Sequence, residues 1–279
     1  MKRFKKIYLE ISNVCNLNCS FCPGTKREAH FMTEEEFDCL TDKLQNYTDY
    51  LYFHLMGEPL LHEKLELFLK IAENKGFKAI ITTNGTLLRD RGHILLESPA
   101  VHKVNISLQS FEANSGNELE SYVSGCTTFA LRMSEANKLC VLRLWNKNGL
   151  DSMNPQIEKI TERFFPKPWE MRRQGMKLRE KIWLEPGDKF DWPDTGRTDV
   201  NDRLFCYGLR DQIGVLCDGT VVPCCLDHDG EISLGNLFTE ELGQIITGGR
   251  AVRIFDGFSQ NKAIEPLCRS CGYATRFSK

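Results

Sequence analysis

Strand-like and helix-like apolar segments alternate along the first 165 residues of this 279-residue chain. The strand candidates are short runs rich in Ile, Val, Leu and Tyr, as expected for buried strands. They cover roughly residues 5–11, 50–56, 78–83, 103–108 and 139–145. Strand–helix alternation at this spacing predicts a parallel sheet or a (β/α) barrel, complete or partial.

Three apolar stripes at helical spacing predict amphipathic helices between these strands. Thr33 and Glu36 form a capping-box pattern before the first stripe, and Gly76 follows the second, where a glycine commonly ends a helix. The stripes comprise Phe37, Leu40, Leu44 and Tyr47, then Leu61, Leu65, Phe68 and Ala72, and finally Tyr122, Cys126, Phe129 and Met133.

The alternation breaks after residue 165. Four prolines within residues 166–205 predict an irregular linker, with a sixth strand candidate at 182–185. Residues 206–279 predict a separate small α+β module, with a β-hairpin turning at Asp218-Gly219 and a short helix near 239–247. The predicted division is therefore a barrel core over 1–165, a linker over 166–205 and a C-terminal module over 206–279.

Composition and charge exclude several classes of protein. The 36 basic and 38 acidic residues give a net charge of −2, so no overall positive charge favours nucleic-acid binding. No apolar run approaches the roughly 20 residues of a membrane span. The basic residues 1–6 precede a strand pattern instead of the apolar core of a signal peptide. We therefore expect a cytoplasmic protein without nucleic-acid or membrane partners.

The chain contains twelve cysteines, and their spacing indicates metal binding. Disulfide scaffolds are short, secreted and poor in core residues, whereas this chain is long and 41% hydrophobic. Cys15, Cys19 and Cys22 follow the first strand as C-x3-C-x2-C. Three thiolates at this spacing can hold three irons of a [4Fe–4S] cluster and leave one iron open. A zinc knuckle or three buried cysteines are the alternatives, although structural zinc sites use four ligands in two pairs.

A second group of cysteines lies in the C-terminal module. Cys206 and Cys224 are widely separated, and Cys268 and Cys271 form a C-x2-C pair. These four can complete the ligands of one metal centre, with a structural zinc or a disulfide as alternatives. The adjacent Cys225 is an alternative to Cys224 as the ligand.

The three-cysteine loop resembles the signature of the radical S-adenosylmethionine (SAM) superfamily, and the resemblance covers roughly residues 5–150. The Met56-Gly57-Glu58-Pro59 segment is similar to the G-G-E-P motif of that family, with Met56 in place of the first glycine. Thr83-Asn84-Gly85 is similar to its third-strand segment. The resemblance implies a partial (β/α)6 TIM-like barrel, with the cluster at the carboxyl ends of the strands.

The resemblance also implies a set of residues that bind the cofactor. The open iron would chelate SAM, Glu58 would accept a hydrogen bond from its amino group, and Gly57 and Asn84 belong to the matching motifs. Asn105, Ser107 and Gln109 share one face of the fourth strand, as expected for a barrel interior that binds a charged, ribose-bearing cofactor; a solvated face is the alternative.

For two further positions in the predicted barrel interior, the sequence pattern allows two roles each. Arg143 shares a face with Trp145 on the fifth strand, where it can pair with the carboxylate of the cofactor or form a structural ion pair. His54 shares a face with Tyr52 on the second strand, where a core histidine is favoured over a cavity-lining one.

The four C-terminal cysteines resemble the ligands of SPASM and twitch domains. Without the further cysteines of the longer form, the module looks like the twitch form, which holds one auxiliary [4Fe–4S] cluster. With four thiolate ligands that cluster has no open iron, so we expect it to accept an electron. A flavodoxin- or ferredoxin-type protein would donate the electron that starts the reaction.

The predicted activity is a dehydrogenase-like oxidation. Reductive cleavage of SAM would give a 5′-deoxyadenosyl radical, which removes a hydrogen atom from a small molecule such as a sugar or cyclitol. Asp227 is a candidate base, or else a turn residue beside Asp229. Candidate pocket residues are Trp145, Trp183, Glu185 and Tyr207. The alternatives are a maturase that modifies peptide or protein side chains, and a non-catalytic iron–sulfur or zinc protein.

Overall fold

The computed structural model of the chain describes residues 4–114, 116, 118–173 and 175–277. The first three residues of the basic N-terminus and the last two residues of the predicted C-terminal module lie outside the described residues. Eight helices and eleven strands are assigned within the described part. The helices are α1 Glu34–Leu44, α2 Leu65–Asn74, α3 Leu88–Glu97, α4 Leu119–Glu135, α5 Asn154–Phe164, α6 Leu242–Thr247, α7 Gly249–Ser259 and α8 Pro266–Arg269.

The strands form one open sheet in the order β11-β10-β9-β1-β2-β3-β4-β5-β8-β7-β6. They are β1 Lys6–Leu9, β2 Tyr50–Tyr52, β3 Lys78–Thr83, β4 Val101–Ser107, β5 Leu139–Lys147, β6 Glu170–Arg172, β7 Gly175–Arg179, β8 Ile182–Asp188, β9 Gln212–Val215, β10 Thr220–Val222 and β11 Gly235–Asn236. The central strands β1 to β5 and β8 pair in parallel. The predicted α/β partial barrel is confirmed, although its first two strands are shorter than their apolar runs.

The helices cover the outer face of this sheet as their apolar stripes predict. The capping box is present, since the Glu36 amide donates to Thr33 Oγ1 (3.2 Å) and the Thr33 amide donates to Glu36 Oε2 (2.7 Å). Phe37 of α1 stacks on Phe68 of α2, with ring centroids 4.3 Å apart. Leu61 lies in a 3-10 turn before α2, so that helix starts one turn later than its stripe.

The expected irregular linker is wrong for residues 170–172, 175–179 and 182–188, which form β6, β7 and β8. The sixth-strand candidate is confirmed and extends to Asp188, passing through Pro186 opposite Leu144. All three residues of β6 are exposed. An edge strand that buries neither face gives no alternating apolar signal, which is why the β6–β7 hairpin escaped prediction.

The C-terminal hairpin is part of the barrel sheet. β9 and β10 pair around the predicted turn, where Gly219 has a φ of +81°. β9 also pairs in parallel with β1, with Lys6 opposite Gln212 and Leu9 opposite Val215. The module predicted to be separate therefore extends the barrel at the β1 edge; the division of the chain at residues 165 and 205 stays a prediction.

A buried carboxylate joins the barrel to this C-terminal segment. Glu10, directly after β1, is 0% exposed and forms an ion pair with Arg27 (Oε1 to Nη2, 2.7 Å). Its carboxylate also accepts the backbone amides of Met56 (3.2 Å) and Cys217 (3.1 Å). Arg27 in turn donates from Nε to the carbonyl oxygen of His228 (2.8 Å). Three segments distant in sequence thus meet at the carboxyl end of β1.

We expect Arg27→Met to lower the free energy of unfolding by about 3 kcal/mol, because it leaves the Glu10 carboxylate buried without its cation. Anaerobic guanidinium titration of the reconstituted protein measures this change. The matched control is Lys5→Met, which removes an exposed ion pair with Asp211 (2.8 Å) and should have little effect. An Arg27→Met effect as small as that of the control would contradict the prediction.

Candidate functional site

A cavity of about 730 Å³ lies at the centre of the partial barrel. Side chains of β1 to β5 and β8, or of residues next to them, line one side of it, and residues from the C-terminal segment line the other. The barrel side comprises Lys6, Tyr8, Tyr52, His54, Thr82, Lys103, Ser107, Gln109, Arg143, Trp145 and Glu185. A concave volume of this size suits a small ligand.

The three-cysteine loop lies at the carboxyl end of β1, beside the cavity. Cys22 donates its amide to the Cys19 carbonyl oxygen (3.0 Å), which closes the loop into a turn. Burial and the neighbouring thiols of Cys22 and Cys15 raise the pKa of the Cys19 thiol to about 12. Without a bound metal, ionisation of one thiol in this loop therefore disfavours ionisation of the next. Phe21 in this loop lines the cavity, and its carbonyl oxygen accepts from Trp192 Nε1 (3.0 Å).

Glu58 connects the second and third motifs. Its side chain is 1% exposed, and its carboxylate accepts the backbone amides of Asn84 (2.7 Å) and Leu60 (3.1 Å). Asn84 reaches the cluster loop, with Nδ2 at 2.8 Å from Asn16 Oδ1 and 3.9 Å from Cys15 Sγ. Burial raises the pKa of Glu58 to about 7, against the opposing effect of these hydrogen bonds. The motifs therefore meet at the first cysteine.

Gly57 allows this close approach. Its φ is +76°, and an added Cβ would lie 2.3 Å from the Ser12 carbonyl oxygen. The next residue, Glu58, donates its amide to the Val14 carbonyl oxygen (2.9 Å). A side chain at Gly57 would therefore push the motif away from the start of the cluster loop.

The polar stripe on β4 faces the cavity only in part. Ser107 and Gln109 line it, and the buried Gln109 Oε1 has no hydrogen-bond partner within the described structure. Asn105 does not line the cavity; it is fully buried and donates from Nδ2 to Thr82 Oγ1 (3.1 Å). The unpaired amide oxygen of Gln109 is a vacant acceptor for a ligand with a polar donor.

Arg143 forms the ion pair that was one of its two predicted roles. Its Nε lies 3.1 Å from Glu185 Oε2, and its guanidinium lies 4.4 Å from the ring centroid of Trp145. All three side chains line the cavity. A role toward the cofactor carboxylate stays a prediction.

His54 lines the cavity, so the favoured expectation of a core histidine is wrong. Its Nδ1 is buried and has no partner within the described structure, while its ring contacts those of Tyr8 and Tyr52. Burial and, to a smaller extent, the positive charges of Arg143, Lys6 and Lys103 together lower the pKa of His54 to about 3. The imidazole is therefore neutral at physiological pH.

The four cysteines of the second predicted group all line the far side of the same cavity. Burial raises the pKa of Cys224 well above its usual range, and the nearby thiols of Cys206, Cys271 and Cys268 raise it further. These four side chains are thus gathered in one place by segments 65 residues apart in sequence, from 206 to 271.

Cys225 lines the same cavity and lies close enough to raise the pKa values of Cys206, Cys224 and Cys271. It packs with Tyr8, Leu55 and Val222 in a small apolar cluster. Burial raises the pKa of its thiol, while Lys6 and a hydrogen bond with Tyr8 lower it. The choice of Cys224 over Cys225 as the ligand beside Cys206 therefore stays a prediction.

Asp227 occupies a turn. It is 2% exposed, and its two carboxylate oxygens accept the backbone amides of Glu231 and Ile232, each at 2.8 Å. The structure therefore realises the turn role that was its alternative prediction. Asp227 also lines the cavity, and its role as a base stays a prediction.

Other cavity residues were partly anticipated. Trp145, Glu185 and Tyr207 line the cavity as predicted, whereas Trp183 lies on another surface beside His102. The lining residues that escaped prediction include Lys6, Lys103, Phe190 and Trp192. The sequence pattern could have identified the two lysines. Lys6 shares a strand face with Tyr8, and Lys103 shares one with Asn105 and Ser107, because residues two apart in a strand point the same way.

The donor sets fit iron–sulfur clusters better than single ions. Among the described residues, no three His, Cys, Asp or Glu side chains converge closely enough to hold one metal ion. A [4Fe–4S] cluster binds each thiolate to a different iron, so its ligands stand farther apart. The unpaired Gln109 Oε1 and His54 Nδ1 fit the presence of a polar ligand in the cavity.

Comparison with known families matches both halves of this site. Residues 9–128 match the model of the radical SAM superfamily, and residues 206–272 match that of SPASM, an iron–sulfur cluster-binding domain. The first domain implies a [4Fe–4S] cluster and SAM, and the second implies auxiliary iron–sulfur clusters. None of the helices in the described part of the chain is long and apolar enough to cross a membrane.

Similar proteins share parts of the sequence or the fold. The S-adenosyl-L-methionine-dependent 2-deoxy-scyllo-inosamine dehydrogenase of Niallia circulans is 31% identical over 97 residues, covering 32% of this chain and 39% of the dehydrogenase. The cofactor-modifying protein of the tungsten-containing aldehyde ferredoxin oxidoreductase of Pyrococcus furiosus is 33% identical over 90 residues, covering 31% and 25%. The chain thus matches a quarter to two fifths of these relatives' length.

A solved structure of BtrN in complex with AdoMet and 2-DOIA superposes with a TM-score of 0.62. It covers 97% of this chain and 94% of BtrN at 18% identity. At that identity the likeness establishes the fold, a partial barrel followed by a small cysteine-bearing segment.

Glu58 should make stability depend on pH. Its carboxyl stays protonated up to about pH 7 when folded but only to about 4.5 when unfolded, so its contribution is complete below pH 4.5 and is lost as pH rises through 7. Relative to Glu58→Gln, the wild type should lose about 3 kcal/mol of unfolding free energy between pH 4.5 and 8. Guanidinium titration of both proteins across this range measures the difference. Glu135→Gln, at an exposed helix position, controls for the lost charge; a flat difference for Glu58→Gln would refute the prediction.

Substitution of the adjacent cysteines should separate their roles. Cys224→Ala should lose about four irons from the reconstituted protein, because a cluster ligand is missing, whereas Cys225→Ala should keep them. Iron and sulfide analysis measures both variants side by side. The opposite result would assign Cys225 as the ligand.

Proposed function

We infer that this chain, which carries a radical SAM domain and a C-terminal iron–sulfur SPASM domain, oxidises a small molecule such as a sugar or cyclitol by two electrons. The position of the cavity carries the proposal. Phe21 connects it to the three-cysteine loop at the carboxyl end of β1, while Cys224 and its neighbours lie near Lys6 at the amino end. A substrate in this cavity would lie between the two cysteine groups.

The chain's own residues would hold two clusters and the cofactor. Cys15, Cys19 and Cys22 would hold the first cluster and leave one iron to SAM. The auxiliary cluster would be held by Cys206, Cys224, Cys268 and Cys271. The bound groups together supply one-electron cleavage of SAM, removal of a hydrogen atom from the substrate and acceptance of an electron.

Glu58 and Asn84 would orient the cofactor at the first cysteine. Both are nearly buried and fixed by backbone hydrogen bonds, so they provide a preorganised polar surface. In its ionised form Glu58 can accept a hydrogen bond from the amino group of the cofactor. Gln109 offers its unpaired amide oxygen on the cavity wall.

Aromatic side chains would exclude water from the reaction. Trp192 and Phe190 pack against each other with ring centroids 5.5 Å apart, and Tyr207 packs against Phe277 at 4.9 Å. All four line the cavity between the barrel and the C-terminal segment. Asp227 is the candidate acceptor of the substrate proton; its two backbone hydrogen bonds would have to tolerate that transfer.

The likeness to a dehydrogenase favours a small-molecule substrate, and peptide modification is the competing outcome. An electron donor of flavodoxin or ferredoxin type completes the proposal. The substrate and the final product decide between the two candidates, so a product search with sugars, cyclitols and peptides separates them.

Anaerobic reconstitution tests the proposed function. We expect about eight irons per chain and formation of 5′-deoxyadenosine from SAM with dithionite as reductant. The triple variant Cys15/Cys19/Cys22→Ala should keep about four irons and lose cofactor cleavage, because only the auxiliary cluster remains. Cys39→Ala, at an exposed cysteine of α1, is the matched control and should behave as the wild type. Zinc in place of iron without cleavage, or cleavage by the triple variant, would refute the proposal.

A further inference from the structure

The cavity carries more positive charge than its own residues balance. Lys6, Lys103 and Arg143 line it on β1, β4 and β5, and they lie close enough to perturb one another electrostatically. Glu185 is the carboxylate paired with this group, through Arg143 (3.1 Å). Three cations thus share one paired carboxylate.

The two lysines have no anionic partner in the described structure. The Lys6 ammonium lies 5.2 Å and 5.3 Å from the ring centroids of Tyr8 and Tyr52, and it makes no hydrogen bond or ion pair. Lys103 likewise has no hydrogen bond or ion pair there. The other carboxylate near Lys6, that of Asp211, is already paired with Lys5 (2.8 Å). Half-buried charges without partners are costly, so a ligand of opposite charge would relieve them. The thiols of Cys224 and Cys225 act electrostatically on Lys6, but they are not among the groups that act on Lys103.

Neighbouring groups experience the same positive field. Burial and the positive charge of Arg143 together lower the pKa of Lys103 to about 8. The neutral His54 beside them presents its unpaired Nδ1 to the same region. The imidazole therefore adds no balancing negative charge, and it offers one more polar contact.

The two lysines of this cationic group lie away from the expected cofactor site, whereas Arg143 stands opposite Ser107 in the sheet. Lys103 precedes Ser107 by four residues on β4, which places its Cα about 13 Å nearer the amino end. Lys6 begins β1, at the end opposite the cluster loop. The charged groups that act on Lys103 are Arg143, Glu185 and Lys6, with no thiol among them. Neither the carboxylate of SAM nor the charge of an auxiliary cluster therefore accounts for Lys103.

We propose that Lys6, Lys103 and Arg143 bind an anionic group of the substrate, either a carboxylate or a phosphate ester. The guanidinium of Arg143 keeps its two terminal nitrogens available beyond the Nε contact with Glu185, and these can bind two oxygens of one anion. The ammonium groups supply the remaining charge. The proposal deepens the proposed function by assigning the charge of its substrate, and it rests on that function for the identity of the reaction.

Calorimetric titration of the reconstituted enzyme with inorganic phosphate and with acetate tests this site, with and without saturating SAM. The wild type should bind at least one of the two anions, and Lys6→Met and Lys103→Met should each weaken that binding by about tenfold. Lys78→Met is the matched control, since this lysine also lies over a tyrosine ring (Tyr50, 5.5 Å) but outside the cavity. It should bind as the wild type does.

The outcomes are distinct. Tighter binding of phosphate supports a phosphate ester, and tighter binding of acetate supports a carboxylate. The proposal would be overturned if the wild type bound neither anion, or if both Met variants bound the anion as tightly as the wild type. Loss of anion binding when SAM saturates the protein would also overturn it. Thermal unfolding confirms that the variants fold, and their midpoints without anion should be at least as high as that of the wild type because a like-charge contact is removed.

Formation of 5′-deoxyadenosine by the wild type is scored separately. Anion binding without cofactor cleavage would refute the proposed function and leave the anion site standing. Cleavage without anion binding would overturn the anion site alone.

Discussion

The buried carboxylate of Glu10 is the interaction on which the geometry of the site depends. It lies where β1 ends and the three-cysteine loop begins, and it binds Arg27 beyond that loop. The same two oxygens hold Met56, before the Gly57-Glu58 motif, and Cys217 of the C-terminal hairpin. A buried charge is stable only when its partners are in place, so the loop, the motif and the hairpin are fixed relative to one another.

Sequence patterns predict the elements better than the contacts between them. Apolar periodicity locates β3 and the capped start of α1, because both bury one continuous face. Cysteine spacing predicts both ligand groups, since a cluster loop requires thiolates close together in sequence. Pairing across the molecule leaves no such local trace: nothing near Glu10 in sequence indicates that its amide partners are Met56 and Cys217.

Polar interior residues show the same limit. Alternation along a strand identifies residues that share a face, but it does not say which face is enclosed. Asn105 and Ser107 lie on one stripe, yet Asn105 is fully buried and donates to Thr82 outside the cavity, whereas Ser107 lines the cavity. Likewise, a histidine two residues after β2 is equally compatible with a core and with a cavity, and burial decides the state of His54. A cavity lined with unpaired polar groups is a poor way to stabilise a barrel, and such departures are typical of functional sites.

The parallel pairing of β1 with β9 has a consequence for how the chain folds. Lys6 and Gln212 are neighbours in the sheet but are 206 residues apart in sequence. Contacts of such high sequence separation form late, since a long loop must close first. During synthesis, one hydrogen-bonding edge of β1 therefore stays unpaired until β9 has been made. An unpaired edge of this kind can pair with a strand of another nascent chain, so we expect chaperones to protect it during folding.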